Sequence, residues 1–435
     1  MNKSWLPLLV CAFTWLGAEE LALPQALREA LDHNPGYQAS RNDVRYYDAA
    51  VDSALAGYLP TVTATGAVTR SWLDTHQERT GGVIQNQNGA QTTLRTAGVN
   101  MDWTLFQGFS APLNRRRLKL QRDQSRAYEE TAHEELLRNV VLACADLARQ
   151  IRLYRAMDTV NAISEERLRI LEHSLAAGAA SRSDWLSAHV DGNADRAALL
   201  RQAAALQSAR VLLGQILGRG KAVSEDVDSV ALPVQSLDLD ALILGLPEHR
   251  PELRVSENNL ALTEVAAKQR ATVWLPKLDA LAGYNYSLTN SDAGIVLKNR
   301  TIGPSVGLQL NFNLFTGEFP WHAYNRARIA VTSAELRRKD VTSLAESEVQ
   351  QDYAAFQAAD SAATLERQGL GYAQENLGLT FSRWKSGSLS YVDARRAQDQ
   401  YLDAFTRAEN ATFDALRARL DLLRSAGRLE TLVDK

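Results

Sequence analysis

Two stretches of the chain alternate apolar and polar residues, and each stands immediately before a long segment with helical spacing. Asp102 to Gly108 reads D-W-T-L-F-Q-G, and Asn311 to Gly317 reads N-F-N-L-F-T-G. A period of two residues predicts a β-strand with one apolar and one polar face. Both stretches therefore predict the end of a strand, and Phe106, Gly108, Phe315 and Gly317 mark two points where a strand gives way to a helix.

Four runs of this kind occur, in two pairs. The first pair lies within 59–106 and the second within 275–315. In the fourth run the apolar face is predicted to consist of Val306, Leu308, Leu310, Phe312 and Leu314. The polar stretch from Asp74 to Gln91 lacks apolar periodicity and predicts a long loop.

The predicted strands are long enough to cross a lipid bilayer when tilted, at about 10 to 14 residues each. A soluble sheet would show the same alternation. Four strands cannot close around a channel, because the smallest membrane barrels use about eight, and open sheet edges are not tolerated in lipid. A membrane barrel would therefore require several chains, and three copies would supply twelve strands.

Helical spacing dominates the rest of the chain. The segments from Phe109 to Ala177 and from Phe319 to Ser386 contain no proline after their first few residues. At about 1.5 Å per residue each is on the order of 100 Å long, so it must pack lengthwise against other helices. Glycines then break these helices at Gly178 and Gly387, and return helices are predicted from Arg182 to Leu217 and from Tyr391 to Ser425.

The landmarks of the two halves keep a constant separation. Asn34-Pro35 and Leu59-Pro60 have counterparts 216 positions later, Arg250-Pro251 and Leu275-Pro276. Phe106, Gly178 and Asp184 recur 209 positions later as Phe315, Gly387 and Asp393. The chain is therefore an internal duplication. We predict a first repeat at 19–217, a linker at 218–245 that packs outside the repeats, a second repeat at 246–427, and a tail at 428–435. The fold class is mainly α with a β-barrel part.

Composition and the amino terminus narrow the function. The chain has 435 residues, 23% of them charged, and a formal net charge of -3, which gives no indication of a nucleic-acid partner. Residues 1–18 read as a secretory signal peptide cut after Ala18, with a lipoprotein signal ending at Cys11 as the alternative. Cys144 remains alone and predicts a core residue. No later stretch has 18 uninterrupted apolar residues, so only a closed β-barrel would cross a membrane.

The helix breaks carry the residues whose chemistry is most open to argument. Each break is followed by a serine and then an acid, Ser181 with Asp184 and Ser390 with Asp393. Helix capping explains this pattern without any further function. No zinc-protease or phosphate-loop motif is present, and no catalytic, cofactor-binding or metal-binding residue is predicted.

The order of these features resembles the TolC family of outer membrane efflux proteins. The resemblance rests on L-x-L-x-x-A-L-x-x-A-L-x-x-N-P from Leu21 to Pro35, on strand pairs ending in L-F-x-G, and on G-x-x-S-x-x-D before the return helices. It implies a homotrimer that forms a twelve-stranded barrel in the outer membrane of a Gram-negative bacterium, continued by a twelve-helix periplasmic tunnel. It also implies a periplasmic adaptor and an inner-membrane ABC or proton-driven transporter as partners, outer membrane lipids around the barrel, and no catalytic residues.

The resemblance further assigns an aperture and a gate to the helix breaks. Asp393 matches an acid that faces the tunnel axis at its narrowest point, but Arg396 stands where a second acid is usual and is placed to pair with Asp393. Asp184 matches one gate partner, and the Trp384 indole stands where an aromatic hydroxyl is expected. Trp185 and Trp384 are equally well explained as packing between hairpins.

The predicted function is that of an outer membrane exit duct, with type I protein secretion as the first candidate for its cargo. Small-molecule efflux is the alternative within the same fold. A non-conducting periplasmic or surface coiled-coil scaffold is the alternative from another class.

Overall fold

The computed structural model describes residues 20–53, 58–227, 237–293, 296–315 and 317–432. The predicted signal peptide, including Cys11, lies outside these residues, as do part of the predicted linker and the last residues of the tail. The described residues form two compact units. We call residues 43–126 and 255–339 the sheet unit, and residues up to 42, 127–254 and from 340 onward the helical unit.

The chain forms eight long or medium helices and four strands among the described residues. The helices are α1 Leu23–His33, α2 Pro35–Ser53, α3 Ser110–Ala176, α4 Arg182–Ile216, α5 Leu239–His249, α6 Pro251–Ala271, α7 Phe319–Lys385 and α8 Tyr391–Ser425. The strands are β1 Thr61–Arg79, β2 Val83–Gln107, β3 Lys277–Ser291 and β4 Lys298–Asn311. Short 3-10 helices occupy Thr272–Trp274 and Leu429–Leu432.

The duplication is visible in the element lengths. Helices α3 and α7 have 67 residues each, and α4 and α8 have 35 residues each. Each second-half helix of these pairs begins 209 positions after its counterpart, whereas α5 and α6 begin 216 positions after α1 and α2. The predicted long helices and their return helices are confirmed to within one residue at each end.

The sheet unit contains one antiparallel sheet in the order β1-β2-β3-β4. Its apolar face is exposed, with Val68, Val99, Tyr284 and Val306 all at least half accessible to solvent. β1 and β4 are the two edges, so each offers one unpaired row of backbone N–H and C=O groups in the single chain.

Two strand predictions were wrong. The stretch from Asp74 to Gln91 is not a loop, because β1 continues to Arg79 and pairs with a β2 that begins at Val83. Backbone pairing does not require apolar side chains, so this polar hairpin escapes a pattern search. Phe312 and Leu314 are not strand residues, since β4 ends at Asn311, opposite Lys277, where β3 begins. Beyond that pair β3 offers no backbone for a ladder.

The core of the helical unit is built mainly from α1, α3, α4 and α8. It includes the fully buried side chains Leu137, Val140, Leu147, Leu213 and Leu420. Cys144 lies in the same core with no exposed surface, which confirms it as a core residue, and burial raises the pKa of its thiol to about 12. Asn34, at the break between α1 and α2, accepts a hydrogen bond from the Tyr37 N–H and donates one to the Ile216 carbonyl.

The described parts of the predicted linker do not pack outside the repeats. Val223 and Val227 are buried in the core with Leu217, and a backbone bridge joins Asp226 to Glu20. Arg219 donates to Glu29 at 2.5 and 2.8 Å and to Glu225 at 2.7 Å. Helix α5 begins at Leu239, inside the predicted linker, because its Leu242 and Leu246 supply a second apolar core.

Candidate functional site

The two breaks between long and return helices have the same geometry. Gly178 and Gly387 adopt φ of +73° and +75°, a conformation that favours glycine. The Gly178 N–H donates to the Leu175 carbonyl and the Ala179 N–H to the Ser174 carbonyl, and the Gly387 and Ser388 N–H groups repeat this pattern 209 positions later. This paired arrangement is a Schellman motif, which satisfies the free carbonyls at a helix end.

Both return helices begin with a serine cap. The Ser181 hydroxyl accepts the Asp184 N–H at 3.0 Å, and the Ser390 hydroxyl accepts the Asp393 N–H at 3.2 Å. The capping interpretation of these motifs is therefore confirmed for both serines. The acids lie in the first turn of each helix, where the helix dipole favours a negative charge.

The predicted aperture residues lie close together in sequence but are not paired. The Asp393 carboxylate accepts a hydrogen bond of 2.7 Å from the Ser390 hydroxyl. Arg396 is exposed, and within the described residues no ion pair joins it to Asp393. The partial cancellation of the Asp393 charge by Arg396 therefore stays a prediction.

Trp384 packs between the two helix hairpins near their ends. Only 8% of it is exposed, and it lies in a small apolar core with Leu171, Ala188, Tyr391 and Ala394. This core takes one or more side chains from each of α3, α4, α7 and α8. In the single chain Trp384 therefore packs between the hairpins, which is one of its two interpretations.

Trp185 has a different surrounding. The Arg182 guanidinium lies 4.1 Å from the centre of its ring, and the His189 ring meets it edge-on at 4.2 Å. These contacts are within α4. Asp184 is half-buried, and the described hydrogen bond at this residue is the one from its backbone N–H to Ser181.

Sequence reasoning missed a buried polar cluster close to the predicted gate. We call Ser164, Arg167, Asp195, Arg395 and Gln398 the Asp195 cluster. Arg395 donates to both carboxylate oxygens of Asp195, at 2.6 and 3.0 Å, and the Ser164 hydroxyl donates to the same carboxylate at 2.5 Å. Gln398 donates to Ser164 at 3.0 Å. The cluster ties α8 to both α3 and α4.

The charges of the Asp195 cluster are shielded from water. Arg167 is 1% exposed, burial lowers the pKa of its guanidinium, and one of its N–H groups donates to Ser164 at 2.9 Å. The nearby Tyr391 hydroxyl donates to Asp191 at 2.5 Å, and its pKa is raised first by burial and then by that hydrogen bond. Removal of one partner from a buried ion pair is strongly destabilising, because the other charge is left buried and unpaired. We therefore expect this cluster to hold the two hairpins together locally.

A sequence signal for this cluster exists but is weak. Asp191 and Asp195 are four residues apart on one helix, as are Arg395 and Asp399 on another. Such spacing is common on exposed helix faces. Only the fold brings these two pairs together, because they are about 200 positions apart in the chain.

The two predicted strand-to-helix junctions differ in their surroundings. At the first, Gly108 is buried, has φ of +53°, and a Cβ there would lie 2.9 Å from the Thr272 carbonyl oxygen and 3.0 Å from Leu275. The Phe106 and Phe109 rings meet edge-on at 5.3 Å. At the second, Gly317 has φ of +76° with open space around it, and Phe315 is 84% exposed.

Among the described residues, no group of three or more acidic, histidine or cysteine side chains is placed to hold a metal ion. No helix in the described part of the chain is both long and apolar enough to cross a membrane.

A duplicated unit of two long strands and a capped helix hairpin defines a class of outer membrane efflux and secretion channels. The family model for the outer membrane efflux protein matches residues 26–219 and 244–428, and the chain belongs to this family. The resemblance to the TolC family is thereby confirmed, and the protein is a channel protein of the outer membrane.

Two relatives and one solved structure match most of this chain. The chain is 23% identical over 411 residues to the outer membrane efflux protein BepC of Brucella suis and 25% identical over 420 residues to Protein CyaE of Bordetella pertussis. Each alignment covers 94% of this chain and 85% of the relative. The crystal structure of the Campylobacter jejuni CmeC outer membrane channel superimposes with a TM-score of 0.76 at 14% identity, covering 93% of this chain and 85% of that one.

Proposed function

We propose that this channel is the exit duct of a tripartite export system, joined through a periplasmic adaptor to an inner-membrane transporter. The duct is a homotrimer in which three sheets close into a twelve-stranded barrel and the long helices form the tunnel. The observation that carries this proposal is the four-stranded sheet with an exposed apolar face and two unpaired edges. Four strands cannot enclose a pore, and lipid does not tolerate an open edge.

Extraction and reconstitution distinguish an exit duct from a non-conducting coiled-coil scaffold. Protein extracted from the outer membrane in detergent is expected to run as a heat-sensitive trimer and to conduct ions in a planar bilayer. Recovery as a soluble periplasmic protein without conductance would instead favour the coiled-coil scaffold.

The cargo is proposed to be protein, delivered by an ATP-driven transporter. Small-molecule efflux is the second candidate, and the name of the relative BepC favours it. A deletion strain separates the two. Loss of a secreted protein from the culture medium with unchanged drug tolerance supports protein export, whereas raised drug sensitivity with normal secretion supports efflux.

The helix-hairpin ends are proposed to form the aperture and its gate. Asp393 of three copies would surround the axis, where like charges repel one another and attract cations, and Arg396 would offset part of that charge. Asp184, Trp384 and Trp185 are the proposed gate residues. The buried position of Trp384 supports a role in holding the hairpins together.

Conductance measurements separate a hydrogen-bonding role of Trp384 from a packing role. Trp384→Ala removes both the indole N–H and the packed ring, whereas Trp384→Phe keeps a ring and loses only the N–H. We expect Trp384→Ala and Asp184→Asn to raise single-channel conductance by roughly twofold or more, since both weaken a closed aperture. Asp403→Asn, at an exposed position of α8, is the control.

If Trp384→Phe behaves as wild type while Trp384→Ala raises conductance, Trp384 acts by packing. If neither variant changes conductance, Trp384 is not a gate residue.

A further inference from the structure

The groove between α6 and α7 contains a cavity of about 470 Å³ close to the sheet. Two arginines line it, Arg270 and Arg326, together with the ring of Phe319 and the alanines Ala266, Ala323 and Ala327. Both arginines are exposed, and none of the described acidic residues lines the cavity. We propose that this cavity, which we call the Arg326 cavity, binds an organic anion that carries a carboxylate or phosphate on an apolar group.

Helical spacing brings the lining residues of each helix to one side. On α7, Phe319, Ala323 and Arg326 follow one another at intervals of four and three residues, and on α6, Ala266 and Arg270 are four residues apart. Residues at these intervals are neighbours on a helix surface. Because alanine leaves space that a longer side chain would fill, both arginines stand beside an open cavity.

The two arginines lack partners. Within the described part of the chain, neither Arg270 nor Arg326 has a hydrogen-bond, ion-pair or ring partner. Glu318, which precedes Phe319, lies instead 3.4 Å from the His322 ring. Arg270 complements the dipole at the C-terminal end of α6, but Arg326 lies near the beginning of α7 and has no such role. Two like charges at one cavity repel each other, and a bound anion would offset this repulsion.

The first repeat has a different arrangement at the same place. Arg117 of α3 is the counterpart of Arg326, 209 positions earlier, and its guanidinium donates to the Asn114 side-chain oxygen at 2.8 Å. The counterpart of Asn114 is Ala323, whose methyl group accepts no hydrogen bond. The second repeat therefore has the arginine without the partner that it has in the first repeat.

The adjoining helix also changes charge between the repeats. Asp52 of α2 corresponds, 216 positions later, to Lys268 of α6. In the first repeat an acid of α2 neutralises an arginine of α3, since Asp48 lies 3.1 Å from Arg126. In the second repeat the last turns of α6 contain Lys268 and Arg270. Positive charge is thus concentrated in the groove of the second repeat, where it attracts anions.

The lining defines the class of ligand. Guanidinium groups bind carboxylate and phosphate through charge-assisted hydrogen bonds. Phe319 is 71% exposed and, with the alanines, offers an apolar surface to the rest of the ligand. Small-molecule sites usually enclose about 300–1,000 Å³, so the cavity is large enough for an anion with an aromatic ring.

A second cavity on α7 indicates which way the Arg326 cavity faces. Trp321 and Tyr324 line that second cavity with Trp274 and Leu314. Trp321 lies about 140° from Arg326 around α7. Tryptophan and tyrosine are enriched at membrane–water interfaces, so we assign their side of α7 to the membrane and the arginine side to the channel interior. This step rests on the proposed function, in which the long helices form a tunnel.

Calorimetric titration of the purified protein in detergent, at low ionic strength, tests the site with phenyl phosphate and with inorganic phosphate. We expect saturable binding of both, with phenyl phosphate bound about threefold more tightly. Arg326→Gln and Arg270→Gln are each expected to weaken binding about tenfold, because each removes a charge-assisted hydrogen bond. Arg328→Gln is the matched control, since Arg328 is exposed on the same helix and does not line the cavity.

Two further variants separate the parts of the site. Ala323→Asn supplies Arg326 with the amide that Asn114 supplies to Arg117, and it is expected to weaken the binding of both probes. Phe319→Ala removes the ring, and it is expected to weaken phenyl phosphate about threefold and to leave inorganic phosphate unchanged. Because Phe319 and both arginines are exposed, we expect unchanged melting temperatures by circular dichroism.

The outcomes for binding are decisive on their own. If wild type does not bind phenyl phosphate, or if Arg328→Gln weakens binding as much as Arg326→Gln does, there is no specific site and the proposal is wrong. Weakening by Arg270→Gln, Arg326→Gln and Ala323→Asn with an unchanged Arg328→Gln supports it.

Conductance in a planar bilayer separates the site from the proposed function. Phenyl phosphate is expected to lower the single-channel conductance of wild type and to leave that of Ala323→Asn unchanged. If the protein binds phenyl phosphate but does not conduct, the proposed function is wrong and the site remains. If the protein conducts but does not bind phenyl phosphate, the site is wrong and the duct remains. If bound phenyl phosphate leaves the wild-type conductance unchanged, the cavity does not face the channel interior.

Discussion

Helices α3 and α7 occupy the same place in the repeat and have the same 67-residue length, but their burial differs. Between Leu136 and Ile151, α3 contributes more buried residues to the main core than any other helix does. On α7 few of the described residues are buried, and most of these are small: Ala334, Ala345, Val349, Ala363 and Trp384. Four leucines of α7 and Tyr372 are instead exposed.

The difference shows what a repeat needs from its neighbour. A strand pair with a long helix hairpin cannot bury its own apolar surface, so each repeat is completed by the next. The first repeat finds that neighbour in the same chain. The second repeat contacts the first through β3 and α8, but nothing in the single chain follows it, so α7 and β4 keep exposed apolar side chains.

Charged contacts between the helices also differ between the two repeats. Within the chain, ion pairs and the buried Asp195 cluster fasten α8 to α3 and α4. At the corresponding positions of α7 and α4, serine and leucine replace the charged residues. We therefore expect variants at charged residues to act on the folding of one chain, and variants at exposed leucines to act on association between chains.

The largest expected effect comes from breaking the Asp195 cluster. Arg395→Ala leaves the buried Asp195 carboxylate without its ion-pair partner, and we expect the free energy of unfolding to fall by about 3–5 kcal/mol. Arg396→Ala removes the neighbouring exposed guanidinium and is the matched control. Thermal unfolding followed by circular dichroism measures both. Similar melting temperatures for the two variants would show that the cluster does not hold the hairpins together.

A second pair of variants compares the two long helices directly. Leu147 has no exposed surface, and Leu147→Ala is expected to cost about 2–5 kcal/mol of unfolding free energy through lost burial and a cavity. Leu365 is 67% exposed on α7. Leu365→Ala should stay within about 0.5 kcal/mol for the helices of one chain.

Circular dichroism measures the temperature at which the helices unfold, and gels run after heating measure the temperature at which the chains dissociate. Leu147→Ala is expected to lower the unfolding temperature, and Leu365→Ala to lower only the dissociation temperature. If Leu365→Ala lowers the temperature of helix unfolding as much as Leu147→Ala does, the proposed difference between α3 and α7 is wrong.

A third variant sharpens the comparison through pH. Burial, with smaller contributions from Glu252 and Glu430, raises the pKa of Glu134 on α3 from 4.5 to about 7. The folded chain therefore holds this proton more tightly than the unfolded chain. The stabilisation is complete below pH 4.5 and is lost as pH rises to about 7.

Glu134→Gln should remove this slope and raise the free energy of unfolding at pH 8 by at most about 3 kcal/mol. Denaturation midpoints at pH 5 and pH 8 measure the effect. Glu346→Gln, at an exposed position of α7, serves as the control and is expected to leave the difference between the two midpoints as in wild type. If the pH dependence of stability is unchanged in Glu134→Gln, it comes from another titratable group.

Much of the fold could be predicted from local patterns. Helical and strand spacing located the long helices, and Gly178 and Gly387 located their ends, because a helix is held by hydrogen bonds between residues close in sequence. The serine caps at Ser181 and Ser390 were predictable for the same reason. The polar hairpin beyond Asp74 was not, since strand pairing there depends on a partner backbone and leaves no apolar signature.

The candidate site divides in the same way. Trp384 and Asp393 were selected through the resemblance to the TolC family, but the packing of Trp384 and the hydrogen bond from Ser390 to Asp393 came from the structure. The Asp195 cluster joins residues about 200 positions apart. No local pattern indicates such a contact, because exposed and buried acids have the same helical spacing.

By itself the sequence determined the duplication, the order of the strands and helices within each repeat, the lengths of the long helices and the positions of the breaks between them. All of these depend on short-range periodicity and capping. The tertiary structure alone decided which of two equivalent helices is buried, where the linker segment packs, and which charges meet in the interior. These features depend on partners distant in the chain, whose contact is created only when the elements assemble.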